Sequence, residues 1–339
     1  MRTRERSWKI YALYNLARYV FLKLDSEYCN KIEKSGITLP QLRILWITKC
    51  FPGISLGEIA KIGCWSSPTV TKMLKTLMAK GLIVEEIHDD KRLYKLIVTE
   101  EGNRFINLNK MKKGDEFLLF KIAHKISKED IDRLVNYFEK IFICDNNKIL
   151  LSYIQLVNMD ELNIDYEGFD IEEKENIKKI VKFYNLLRAF ILDIEGEHRQ
   201  YLMKLDLTYP QSRALWIIKA FPGLTSIQLS EIGFWSPSTA NVIVKNLYSK
   251  EFIYKEKSVL KNSLYLYITE KGEDIILRDF EEDIKSLSIA KKVDRQPFND
   301  LEGINIILDK VNKVIGNEKV EAYVRTTFSV IENRFYYNE

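Results

Sequence analysis

The stretch FPGISLGEIAKIGCWSSPTV, Phe51–Val70, returns 170 residues later as FPGLTSIQLSEIGFWSPSTA, Phe221–Ala240. Setting residue n against residue n + 170 aligns Pro40 with Pro210, Trp46 with Trp216, Gly63 with Gly233, Trp65 with Trp235 and Gly102 with Gly272. About 25 of the 63 pairs between Pro40 and Gly102 are identical, and no gap is needed. The register reaches upstream, where Tyr14-Asn15-Leu16 and Arg18 meet Tyr184-Asn185-Leu186 and Arg188. Downstream it is weaker, with Leu134 and Phe138 facing Ile304 and Leu308. Two units, 1–170 and 171–339, account for the 339 residues. A two-copy repeat of this size is a duplicated domain rather than a solenoid, and each copy is long enough for its own core.

Within the stretch, Ser55-Leu-Gly-Glu58 has capping-box spacing: the hydroxyl accepts a backbone N–H and the Glu reaches back to the cap. Thr225-Ser-Ile-Gln228 meets the same rule with different residues, which argues for a shared local structure. Gly63 and Gly233 are expected to close this short helix in the left-handed conformation. Ser66 then caps a further helix with Pro68 in its first turn, and Ser236 caps the counterpart with Pro237 directly after it. Trp65 and Val70 stand at the staple positions flanking the cap. The inward face of this helix is Val70, Met73, Leu74 and Leu77, matched by Ala240, Ile243, Val244 and Leu247. The outward face is small, polar and basic: Ser67, Thr69, Thr71, Lys72, Lys75 and Thr76. A short helix, a tight turn and a second helix with a polar-basic outer face make a helix-turn-helix, whose second helix is the recognition helix.

The flanks extend the motif. Tyr11–Cys29 reads as a long amphipathic helix with Leu13, Leu16, Ala17, Val20, Phe21 and Leu24 on one face. Pro40 opens a helix through Lys49, and Phe51-Pro52-Gly53 ends it in a turn. After Gly81, Leu82–Val84 and Leu96–Val98 read as strands around a charged tip, His88-Asp89-Asp90-Lys91-Arg92. Thr99-Glu-Glu-Gly102 begins another helix. The fold class predicted is mainly α with small β-wings: two tandem winged helices. In such modules the recognition helix enters the major groove, and a basic wing tip reaches the adjacent minor groove.

Pro68-Thr-Val-Thr-Lys-Met-Leu-Lys-Thr-Leu-Met-Ala-Lys-Gly-Leu-Ile83 resembles the recognition-helix segment of MarR-type bacterial transcriptional regulators. Asp90-Lys-Arg92, followed by Leu96-Ile-Val-Thr-Glu-Glu-Gly102, is similar to that family's wing signature. The wording around Gly63 and Trp65 is similar to the Hpr/ScoC-like branch. The resemblance implies that Thr71 and Lys72 face DNA, that Arg92 is the wing arginine, and that Asp90 is its local partner. Family members are usually homodimers of one winged-helix protomer paired through terminal helices; here two protomer-sized units are fused. Copy two departs at each contact position, with Asn241-Val242 for Thr71-Lys72 and Leu260-Lys261-Asn262 for Asp90-Lys91-Arg92. Basic character persists there at Lys245, Lys255, Lys257 and Lys261.

Composition bounds the alternatives. The chain is 46% hydrophobic and 29% charged, with a net charge of +4, which permits nucleic-acid binding without demanding it. No apolar run reaches the length of about 18 residues that reads as a membrane span, so no membrane partner is expected. The basic start MRTRER and the polar residues after it argue against a signal peptide and for a cytoplasmic chain. Cys29, Cys50, Cys64 and Cys144 contain no CxxC pair, so neither a disulfide framework nor a zinc site is expected, and at Cys50 and Cys64 buried, inert thiols are expected rather than a redox switch. His88, His124 and His198 show no metal spacing, and no cofactor is expected. Trp46, Trp65, Trp216 and Trp235 read as core or staple residues. Lys75 and Lys80 read equally well as solvated helix positions. The acidic stretch Asn158–Lys178 reads as a solvated connection.

These features predict a DNA-binding transcriptional regulator, not an enzyme, with double-stranded DNA as partner. The expected contact residues are Ser66, Ser67, Thr69, Thr71, Lys72, Lys75, Lys91 and Arg92 in copy one, and Ser236, Ser238, Thr239, Asn241, Lys245 and Lys261 in copy two. Long helices at Tyr11–Cys29, Lys174–Asp193, Ser127–Ile143 and Asp300–Val314 are expected to build the interface of an intramolecular pseudo-dimer, with higher oligomers left open. The resemblance adds a small-molecule effector of unspecified identity. The competing reading is a winged-helix protein–protein interaction module; an enzyme is disfavoured because no nucleophile–base pair, phosphate loop or metal cluster is seen.

Overall fold

A computed structural model of the chain describes residues 2–87, 94–144, 147–159, 162–257, 264–286, 293, 298–316, 322–324 and 326–327. The sequence expectations at Asp90, Lys91, Arg92, Leu260, Lys261 and Asn262 lie outside the described residues. The described chain is mostly helical, with two two-stranded antiparallel sheets.

Copy one opens with α1 (Arg2–Ile32), followed by α2 (Leu39–Cys50), α3 (Leu56–Gly63), α4 (Ser67–Ala79), β1 (Ile83–Ile87), β2 (Tyr94–Val98) and α5 (Glu100–Leu108). Three further helices follow: α6 (Leu118–Lys125), α7 (Lys128–Cys144) and α8 (Lys148–Met159). Copy two repeats the plan as α9 (Ile171–Lys204), α10 (Tyr209–Ala220), α11 (Ser226–Gly233), α12 (Pro237–Ser249), β3 (Ile253–Lys257), β4 (Leu264–Ile268), α13 (Glu270–Ser286) and α14 (Phe298–Val314).

The chain divides into two compact units that do not follow the repeat. One is Lys23–Leu192; the other is Met1–Leu22 together with Asp193–Glu339. The divisions fall inside α1 and α9. These helices have 31 and 34 residues, about 46 and 51 Å at 1.5 Å per residue.

In the Lys23–Leu192 unit the core gathers Leu24, Tyr28, Leu42, Leu45, Trp46, Ile59, Val70, Leu74 and Leu77, with Ile180, Phe183, Leu187 and Phe190 of α9. Tyr28 meets Phe117 edge-on at 4.7 Å and stacks on Tyr184 at 5.6 Å. In the other unit Leu13, Leu16, Ala17 and Val20 of α1 are buried with Leu215, Trp216, Leu229, Ala240 and Leu247. The wing of each copy is pinned to the turn that precedes the helix-turn-helix: Gly53 N donates to Leu96 O (3.0 Å), and Gly223 N donates to Leu266 O (2.9 Å). Both glycines have positive φ, 84° and 83°, a turn geometry that L side chains rarely adopt.

Three expectations are corrected. Gly63 and Gly233 are the last helical residues, and the left-handed positions belong to Cys64 (φ 54°) and Phe234 (φ 55°). The glycines are required by space: a Cβ on Gly63 would stand 2.0 Å from the Trp65 ring, and one on Gly233 would stand 2.2 Å from Trp235. Cys64, which occupies the left-handed cap, is exposed, and Cys50 is half-buried, so neither is the buried thiol expected. The Asn158–Lys178 stretch is not a solvated connection; Leu162, Asn163, Ile164, Tyr166 and Phe169 are buried, and Met111 N donates to Asn163 O at 3.0 Å. Its apolar residues alternate with the acidic ones that suggested solvent.

Candidate nucleic-acid interface

Helix α4 begins as the sequence requires. Thr69 N donates to Ser66 Oγ (3.4 Å), and the Ser66 and Thr69 hydroxyls lie 2.8 Å apart. The preceding helix carries the complete capping box: Glu58 N donates to Ser55 Oγ (3.3 Å) while Ser55 N donates to Glu58 Oε2 (3.0 Å). Hydrogen bonds from Ser55 hold the Glu58 carboxyl below its ordinary pKa. With Val70, Leu74 and Leu77 buried and Met73 half-buried, the opposite face of α4 is turned to solvent. Ser66, Ser67, Thr69, Lys72 and Lys75 are exposed there. Thr71 is half-buried, and its Oγ1 donates to Ser67 O at 3.0 Å, so its hydroxyl proton is engaged within the helix.

Copy two presents the same platform with other chemistry. Thr239 N donates to Ser236 Oγ (3.1 Å), and the Ser236 hydroxyl lies 2.8 Å from both Ser238 Oγ and Thr239 Oγ1. Ser236, Ser238, Thr239, Asn241 and Lys245 are all exposed. Ser226 Oγ of α11 donates to Asn241 Oδ1 at 2.6 Å. Where copy one has Lys72, copy two exposes Val242 (60% exposed), and Ile227, Tyr248, Tyr254 and Leu264 are also turned to solvent. Tyr248 carries Lys255 Nζ over its ring at 4.6 Å, and Tyr254 stacks on Tyr267 at 5.3 Å.

Each helix-turn-helix is anchored from below by a buried arginine. In the Lys23–Leu192 unit, Arg188 Nη2 of α9 donates to Gly63 O at 2.9 Å, and its guanidinium lies 5.3 Å over Trp65. Burial and the neighbouring Arg43 guanidinium lower the Arg188 pKa from its ordinary value. Arg43 instead donates to Asp25 Oδ1 (2.7 Å) and to Tyr184 Oη, and Tyr184 Oη donates to the same carboxylate oxygen at 3.0 Å. In the other unit the roles exchange. Arg213 of α10, the repeat partner of Arg43, donates to Gly233 O (3.2 Å) and lies 4.8 Å over Trp235. Arg18 of α1, the repeat partner of Arg188, donates to Glu195 Oε1 (2.7 Å) and lies 5.2 Å over Tyr209. The repeat register aligned Arg18 with Arg188 but gave no sign of these anchoring roles, because they depend on which helix covers each turn.

Two further features were missed. A cleft of about 670 Å³ in the Lys23–Leu192 unit is lined by Phe117, Phe120 and Phe169 with Glu27, Lys113 and His124. Buried His198 and Asp279 pair at 2.8 Å, with Ser212 Oγ donating to the same carboxylate at 2.6 Å. Among the described residues no group of three or more His, Cys, Asp or Glu is placed to hold a metal, and no helix is long and apolar enough to cross a membrane.

Comparison with known proteins matches the two helix-turn-helix segments, residues 37–94 and 207–259, to the MarR family. The chain is 25% identical over 173 residues to the HTH-type transcriptional regulator Hpr of Bacillus licheniformis, a match over 48% of this chain and 83% of that protein. It is 28% identical to Hpr of Geobacillus over 32% of this chain and spans 57% of that relative. Among solved structures, the Staphylococcus aureus MepR–DNA complex matches 37% of this chain and 91% of its own, at 20% identity and a TM-score of 0.33. The family model matches twice, once on each copy of the repeat that the capped helices and wings display, so the chain carries two MarR-type winged-helix modules in tandem.

Proposed function

We propose that the chain is a transcriptional regulator that binds duplex DNA as a single-chain pseudo-dimer. The observation that carries this is the exposed face of α4: Ser66, Ser67, Thr69, Lys72 and Lys75 project together from a helix whose other face is core. Such a face suits the major groove, where Lys reaches guanine acceptors or phosphate and the hydroxyls serve either. Ser238, Thr239, Asn241 and Lys245 offer a less basic counterpart on α12. Lys91, Arg92 and Lys261 supply the wing contacts in this reading, with Arg92 in a minor groove. The duplication supports two half-sites read by one chain, with an imperfect palindrome because the two faces differ. An effector would be received by the cleft beside Phe117, Phe120 and Phe169, where aromatic faces meet both signs of charge.

The exposed Ile227, Val242 and Tyr254 favour a second reading, in which copy two docks a protein. Selection of duplex fragments by the full chain, combined with light scattering at low concentration, tests the proposal. Enrichment of a bipartite site by a particle of one chain mass supports it. Failure to enrich any duplex overturns it in favour of the protein-docking reading, and an undilutable chain dimer overturns the single-chain arrangement.

A further inference from the structure

Copy two carries an exposed apolar side chain at the centre of its recognition face. Val242 takes the place of Lys72 and is 60% exposed, bracketed by exposed Ser238, Thr239, Asn241 and Lys245. Tyr248 and Tyr254, also exposed in copy two, already have ring partners in Lys255 and Tyr267. Ser238, Val242 and Lys245 recur at helical spacing, so the valine sits in a polar and basic surround. That surround complements nucleic acid better than the continuous apolar face a protein partner would need.

The neighbouring asparagine narrows the choice of base. Reading adenine through both its edge groups takes the amide oxygen as acceptor and the amide nitrogen as donor. Asn241 Oδ1 already accepts from Ser226 Oγ across the two helices, 2.6 Å away, which turns one of its two acceptor positions inward. The Nδ2 donor is the end of Asn241 not used in that bond, and it seeks an acceptor. In the major groove one base offers an acceptor and an apolar group side by side: thymine, with O4 next to its 5-methyl.

We infer that copy two reads thymine, with Val242 against the 5-methyl group and the Asn241 amide donating to O4. The inference rests on the DNA-binding reading above and names the base chemistry of its second half-site. It prefers thymine to adenine, the partner an asparagine alone would suggest, because Val242 beside it adds an apolar contact that only the thymine methyl meets.

The test uses the full chain and a duplex selected by it from a random pool, with each thymine replaced singly by deoxyuridine. That change removes the methyl and keeps O4. At one or two positions the native chain should lose about fourfold in affinity, the worth of burying one methyl-sized group. Val242→Ser should abolish that loss at the same positions, and Val242→Lys should do likewise, while Lys72→Ala keeps it. Val242 is exposed, so circular dichroism should report native folding in each variant. Insensitivity to uracil at every position, or sensitivity that persists in both Val242 variants, overturns the inference. A native chain that binds no duplex at all overturns the functional reading itself and the inference with it, so the two failures are distinct.

Discussion

The guanidinium of Arg188 lies 5.3 Å over the Trp65 ring while donating to Gly63 O, so one buried side chain of α9 holds both the end of α3 and the residue before the α4 cap. Replacing Arg188 by Ala leaves the Gly63 carbonyl unsatisfied and empties the space under the indole. The loss should be about 2–4 kcal/mol in urea denaturation, summing a charged hydrogen bond and a cation–π contact against relief of repulsion with Arg43. Arg188→Lys should recover only part of it, because an ammonium cannot stack and donate with the same planar group.

Gly63→Ala should cost about 1–3 kcal/mol or more by forcing the Trp65 ring aside, and Gly233→Ala should behave alike against Trp235. Gly57 provides the contrast. A Cβ there meets nothing within 4 Å, so Gly57→Ala should stabilise by up to about 1 kcal/mol. Denaturant midpoints for the three variants separate these outcomes, and equal effects at Gly57 and Gly63 would contradict the packing argument.

The two capping boxes form a matched pair for pH. Glu58 titrates, and its folded pKa is depressed by hydrogen bonds from Ser55. Its contribution is therefore present above the ordinary glutamate value and is lost as pH falls toward the depressed folded value. Gln228, which accepts from Thr225 N at 2.8 Å, cannot titrate. Ser55→Ala should cost about 1 kcal/mol near neutral pH and less in acid, whereas Thr225→Ala should cost a similar amount at both. A pH-independent Ser55→Ala effect would refute the assignment.

Much of this architecture was legible in sequence for local reasons. Caps at Ser55, Ser66, Thr225 and Ser236, first-turn prolines and the apolar period of α4 and α12 are short-range signals, and the structure follows them closely. What was not legible depends on distant segments. Gly63 reads as a turn glycine until Trp65 is seen folded against it. Nothing in the sequence marks Arg188 and Arg213 as buried; each is found under a tryptophan, one from a long helix and one from the helix before the turn. Val242 was visible as a departure from Lys72, but its exposure and the Ser226–Asn241 bond needed three dimensions.

The two recognition faces should contribute unequally. On one mapped duplex at fixed salt, Lys72→Ala should cost about 1–3 kcal/mol if Lys72 reads a base, and less with a salt slope reduced by about one if it touches phosphate. Arg92→Ala should weaken binding more than Asn262→Ala, because only the arginine brings charge to a narrow minor groove. Equal losses from both copies would remove the asymmetry.

The most direct test of the account is the salt dependence of duplex binding by the full chain. Each phosphate neutralised contributes about −0.9 to the slope of log affinity against log salt. Lys72, Lys75, Arg92 and Lys245, with the remaining cations of two winged helices, predict a steep negative slope of several such increments. A flat response, or no duplex binding at low salt, would contradict the assignment of this chain as a DNA-binding regulator.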